Sequence, residues 1–188
     1  TVTADGMSTV GLAGRSKVLE ANSGVRATAI KATDFMKMNS STEGRAFVKQ
    51  YDLIYIYHDR IDKTGDDTTS EDKVFDAVED EVRYIIQDLL KKIANVNGNN
   101  IFITSDHGYI YQDKILDESE FAATSIEGDI WKENRRFILG SSLSDDKSMK
   151  KFEGPDVGLT SDVDVMITKG INRLRVRGAG SRFVHGGA

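Results

Sequence analysis

Apolar residues recur at helical spacing through the middle of the chain. In residues 70–96, "SEDKVFDAVEDEVRYIIQDLLKKIANV", Val74, Phe75, Val78, Val82, Ile85, Ile86, Leu89, Leu90 and Ile93 fall on one wide face, which predicts a long amphipathic helix. Thr68 and Glu71 supply a capping box, Lys91 and Lys92 suit the negative carboxyl end, and Asn97-Gly98 ends it. Two β-branched and aromatic runs flank it, "DLIYIYHD" (52–59) and "NIFITS" (100–105), and both predict strands. The first is apolar enough to sit centrally in a sheet. Strand, helix and strand of these lengths predict a βαβ unit with parallel strands and a right-handed crossover. Their carboxyl ends then share the edge at which open α/β sheets bind ligands.

The remaining pattern is weaker. "SKVLEA" (16–21) predicts a short helix, "GVRATAI" (24–30) a strand, and "ATDFMKMNSSTEGRAFVKQY" (32–51) short helices. "RRFILG" (135–140) and "DVMIT" (164–168) predict strands, and "GSSLSDDKSMKKFEGPD" (140–156) an exposed loop. Near the end, inward alternation of Leu174 and Val176 would put Arg173, Arg175 and Arg177 on one face. Such a face is either a solvated strand surface or an anion-binding surface. No internal repeat, domain-scale linker or low-complexity segment interrupts the 188 residues, so a single domain is expected.

Composition narrows the function classes. With 39% hydrophobic and 29% charged residues the chain is ordinary for a globular protein. A formal charge of −5 gives no surface-wide attraction for nucleic acid. The absence of cysteine excludes disulfides and thiolate metal sites and fits a reducing, cytoplasmic compartment. There is no run of 18 apolar residues to span a membrane, and the amino end has no signal-peptide pattern. The chain begins without Met, which predicts a segment of a longer protein.

Candidate chemistry gathers after the two strong strand predictions. His58, Asp59, Asp62, Asp66 and Asp67 follow the first, and Asp106 and His107 follow the second. On one sheet edge, these oxygen and nitrogen donors suit a divalent cation. Asp and Gly in such loops also serve as turn and cap residues, and Asp106 can form an Asx-turn, so spacing leaves both readings open. Other motifs fail. "GMSTVGLAG" has Leu12-Ala13 where a phosphate loop needs Lys and Ser or Thr, "RGAGSRF" lacks the third glycine of a dinucleotide fingerprint, and no serine sits in a Gly-x-Ser-x-Gly elbow.

The ordered set "YIYHDRIDKTGDD", "SEDKVFDAVE", "IFITSDHGYIYQD" and "RFVHGG", with "ADGMSTVGLAGRSKVL" and "RRFILG", resembles the PglZ domain of BREX bacteriophage-resistance systems, a branch of the alkaline phosphatase superfamily. The resemblance spans nearly the whole chain. It implies an α/β fold, a mostly parallel sheet flanked by helices on both faces, with two divalent metal ions, usually zinc, at the strand ends. Asp106 and His107 resemble the pair that binds one metal. Asp62 and His185 resemble ligands of the other, and Asp66 stands where the superfamily motif has His. The superfamily's first strand, with its metal-binding Asp and its Ser or Thr nucleophile, is expected upstream of residue 1, so the domain is partial at both ends and the fragment inactive.

Two functional expectations follow from the resemblance. In one, the domain is a metal-dependent phosphatase or phosphodiesterase acting on a nucleotide or nucleic-acid ester, working with other phage-defence proteins, with Arg173, Arg175 or Arg177 holding the anionic substrate. In the other, it is a non-catalytic scaffold that keeps the fold inside a defence complex.

Overall fold

The structure, a computed structural model, describes residues 3–66, 70–114, 116–122, 125–176 and 182–185. In chain order these form β1 (Thr3–Ala4), β2 (Met7–Ser8), α1 (Gly11–Ser23), β3 (Ala27–Lys31), α2 (Ala32–Lys37), α3 (Arg45–Gln50), β4 (Leu53–Tyr57), α4 (Arg60–Asp66) and α5 (Val74–Tyr84). There follow α6 (Leu90–Asn95), β5 (Tyr109–Tyr111), β6 (Asp129–Glu133), β7 (Phe137–Ser141), β8 (Met149–Glu153), β9 (Asp164–Thr168) and β10 (Phe183–His185). The fold is mixed α/β and divides into two compact units, Thr1–Ile61 with Asp76–Ile103, and Asp62–Phe75 with Thr104–Ala188.

The first unit holds the parallel pair β3–β4, in register from Ala27 opposite Leu53 to Lys31 opposite Tyr57. Ser16 ties α1 to β3: its hydroxyl donates to Leu12 O and accepts from Ala29 N at 2.8 Å each. The long periodic segment is helical as predicted. It runs from α5 through a π-turn at Ile85–Leu89 into α6. Its end follows the predicted chemistry: Asn97 takes a left-handed φ of 67°, and Gly98 N bonds back to Ile93 O at 2.8 Å. Thr68, half of the expected capping box, lies outside the described residues. Ile30, Phe35, Leu89 and Val96 form this unit's core, with Ile54, Ile56 and Ile93 packed against it.

The expected βαβ unit is not formed. Residues 101–103 make no strand, and Ile101, Phe102 and Ile103 are exposed, Phe102 by 88%. Propensity makes a strand only when a neighbour pairs its backbone, and no described strand pairs with this one. For the same reason β4 is not central: among the described residues it pairs with β3 alone, Leu53 is exposed, and Ile54–Tyr57 are half-buried.

In the second unit every described strand pair is antiparallel, so the mostly parallel sheet expected from sequence is not what the described residues form. Four strands lie in the order β6-β7-β9-β8. Ile138 on β7 faces Met166 on β9 across the ladder, and with Leu143, Met149 and Leu174 they make the core. The segment expected as an exposed loop contains β8, whose pairing with β9 supplies what its Lys-rich sequence concealed. β6 carries one extra residue, Trp131, between Ile130 and Lys132. Opposite this bulge, a Cβ on Gly140 would lie 2.3 Å from Asp129 O. Backbone cannot move aside as a side chain can. Gly140→Ala should therefore destabilise this unit by about 1–3 kcal/mol, the usual cost of overpacking. The measurement is the urea midpoint of its unfolding, and an unchanged midpoint would refute the clash.

A candidate metal site around His107

Asp62, Asp66, Asp106, His107 and His185 all belong to the second unit. Asp62 and Asp66 lie on α4 four residues apart, hence on one face, with Cβ atoms about 6 Å apart. Gly65 seats this helix on β10: a Cβ there would come within 2.4–2.5 Å of three ring carbons of the buried Phe183. Only glycine permits that approach. β10 runs antiparallel to β5, with His185 in register with Tyr109. Asp106 and His107 lie on the irregular segment leading into β5.

His107 Nε2 is 3.8 Å from Asp62 Oδ1 and 3.9 Å from Asp106 Oδ1. On the far side of the ring, Nδ1 is 2.9 Å from Gly108 O. A carbonyl can only accept, so Nδ1 carries the proton and the neutral ring keeps a lone pair on Nε2, between the two carboxylates. Asp106 Oδ1 also accepts from His107 N at 3.1 Å, a bond to the next residue and not the two-residue span of an Asx-turn. The residues meet through α4 and the approach to β5, not through two parallel strand ends.

The bond to Gly108 O foremost raises the His107 imidazole above its ordinary value of 6.5; burial, the next largest effect, opposes it, and the charges of Asp106, Asp62 and Asp66 each add a smaller upward push. A raised folded-state value means that the stabilisation is full below about pH 6.5 and is lost as pH climbs through the folded value. In metal-free protein the His107 ring-proton titration by NMR should therefore have its midpoint above 6.5. A midpoint at or below it would contradict this geometry. Because a cation must displace a proton from Nε2, metal affinity should climb through the same window.

Asp66 has a different neighbour. Its Oδ1 accepts from Arg135 Nη2 at 3.1 Å, and the Arg135 side chain is 8% exposed. Arg135 Nη1 also donates to Phe183 O. Of the predicted arginine face, residue 173 makes an isolated bridge to Phe121 and is not in a strand. Arg173 is buried, 1% exposed, and donates from Nη2 to Arg182 O at 3.0 Å. Burial foremost, then the charges of Arg135 and Arg136, push it down to about 10. Arg175 is exposed, pairs with Glu118, and lies 4.4 Å from the Phe121 ring centroid. Arg177 lies outside the described residues.

Sequence reasoning missed a second polar cluster, in the first unit. Glu81 on α5 is 1% exposed, and its carboxylate takes His58 Nε2 on Oε2 and Arg60 Nη1 on Oε1, the latter at 2.8 Å. The available signal was a glutamate seven residues after the buried Val74, in a position where helical periodicity expects an apolar residue.

The class is alkaline phosphatase-like: the chain is 36% identical over 189 residues to the "Alkaline phosphatase-like protein BrxZ" of Escherichia coli O9:H4 (strain HS), covering 99% of this chain and 21% of that protein. It is also 36% identical over 167 residues to the "Alkaline phosphatase-like protein PglZ" of Bacillus cereus (strain H3081.97), covering 86% of this chain and 19% of that protein. The family described as "BREX system PglZ alkaline phosphatase-like domain" matches residues 1–188, and the chain belongs to it. The chain thus spans about one fifth of the length of the curated relatives it matches. No solved structure matches it.

Proposed function

We propose that this PglZ domain carries the metal-binding part of a phosphoric-ester hydrolase within a longer, cytoplasmic phage-defence protein that works with other defence proteins. The observation that supports the reading most directly is His107, whose Nδ1 proton is committed to Gly108 O while Nε2 lies 3.8 and 3.9 Å from two carboxylate oxygens. Two oxygens and an imidazole nitrogen are the donor chemistry of zinc or manganese, although among the described residues no group of three or more His, Asp or Glu side chains is arranged to hold a metal ion. When bound, such an ion would polarise a phosphoryl oxygen and lower the pKa of an attacking hydroxyl.

The chain's own residues have defined parts. Asp62, Asp106 and His107 hold the cation, and the Gly108 carbonyl fixes the ring that presents Nε2. The buried Arg173 braces the segment at Arg182, and of the two described arginines the exposed Arg175 is the better placed to meet an anion. The nucleophile and the rest of a larger parallel sheet around β3–β4 come from elsewhere in the longer protein. Nucleotide or nucleic-acid esters are the proposed substrates.

The test is hydrolysis of an aryl phosphodiester by the full-length protein, with chelator and then with zinc or manganese restored. Loss with chelator and recovery with metal are expected. Metal-loaded protein without turnover, in cells whose phage resistance survives Asp106→Ala, would favour the scaffold reading instead.

A further inference from the structure

The long helix carries more apolar surface than the core beneath it uses. Ala77 and Leu89 are buried, yet Val78 is only half-buried, and Val82 and Ile86 stay 50% and 57% exposed. Val78, Val82 and Ile86 recur four residues apart, so they form one ridge along α5 and into the π-turn. Glu79, Arg83 and Gln87, each one residue further on, form a parallel ridge, and these six side chains line an open groove. One wall of the groove is apolar, and the other carries an acid, a base and an amide. Single exposed apolar side chains are ordinary, whereas a contiguous row with a polar rim marks a contact surface. A groove between two such ridges is the shape into which a second helix packs.

The size of the row selects the occupant. Three side chains expose at most a few hundred Å², against the about 800 Å² per partner that a standard interface between separate molecules buries. A separate protein, or a second copy, would have to offset its lost translational and rotational freedom from that row alone. A segment of the same polypeptide meets no such cost. About four fifths of the length of each matched relative lies outside the region this chain matches, so ample chain exists to supply it. Single-stranded nucleic acid is a poor fit, because the six side chains include no aromatic ring for stacking and one cation only.

We propose that the row of Val78, Val82 and Ile86 seats a helix of the same longer polypeptide, from outside residues 1–188, which lays its own apolar row in the groove and sets an acidic side chain beside Arg83. The inference rests on the longer protein of the reading above, and on neither its metal nor its hydrolysis.

The experiment is hydroxyl-radical footprinting of the unmodified full-length protein, read residue by residue by mass spectrometry. Val82 and Ile86 should be modified at least about 10-fold more slowly in the folded protein than in urea, as side chains closed off from solvent are. Rates close to the unfolded ones would overturn the proposal without any variant. A diazirine-bearing aliphatic amino acid at position 86 then identifies the occupant; if that variant does not fold by circular dichroism, position 82 takes it. The expected product joins this position to an apolar row on a helix outside residues 1–188 of the same molecule. Cross-links between isotopically light and heavy copies would show a second copy instead, and cross-links confined to residues 1–188 an occupant from this chain. Protection seen only after single-stranded nucleic acid is added would show a ligand. Each of these three results overturns the proposal. Turnover and metal content enter none of these readouts, so the hydrolase reading stands or falls separately.

Discussion

Replacing His107 by Ala in the longer protein is expected to lower metal-dependent phosphodiester hydrolysis by more than about 100-fold at limiting metal, beyond the 10–100-fold that loss of a supporting partner costs. Without the imidazole, Asp62 and Asp106 present two like charges and no nitrogen. A cation would then be held by carboxylates alone, with no donor fixed by a backbone bond. Stability should hardly move. The His107 side chain is 37% exposed, and substitutions at such positions usually change stability by no more than about 0.5 kcal/mol. The pairing of a large functional loss with an unchanged melting transition separates a site residue from a structural one. Full activity in His107→Ala at limiting metal would remove the main support of the metal-binding reading.

The largest stability effect is expected at the first unit's cluster. Substituting both His58→Ala and Arg60→Met leaves the Glu81 carboxylate at 1% exposure with neither donor that now meets it. An uncompensated buried charge costs about 3–5 kcal/mol. Glu81→Leu should cost much less, because the Arg60 side chain is 54% exposed and can hydrate where it is, and leucine suits the buried helix face. Urea unfolding of the two variants should therefore rank them opposite to the number of residues changed per charge removed: the variant lacking the acid survives better than the one keeping it. If Glu81→Leu proves the more damaging, the carboxylate serves more than its two donors.

How far the sequence went depends on the range of the interactions involved. The helix from Val74 to Asn95 was legible because its apolar stripe, its lysines and its Asn97-Gly98 stop all act within a few residues of one another. So were α1, β3, the short helices after residue 31, and β4, β7 and β9, whose composition is locally consistent. The segment 100–105 carries equally strong strand propensity and still forms no strand, because pairing is supplied by a neighbour and not by the segment. β8 is the converse case: Lys150 and Lys151 made it read as a loop, and its ladder with β9 made it a strand.

The site divides along the same line. The order of motifs around Asp62, Asp106 and His107 was enough to identify the family, and the residue types pointed to cation chemistry. Only tertiary structure decided which atoms meet: Nδ1 of His107 on the neighbouring carbonyl, Nε2 beside Asp62, and Asp66 beside an arginine 69 residues away. Glu81 and Arg135 were invisible as functional candidates, since a buried charge is recognisable only once its partners and its exposure are known. Local periodicity and residue chemistry are written into consecutive positions. Strand pairing, ring orientation and the pairing of buried charges depend on contacts between positions far apart, and those exist only in the folded chain.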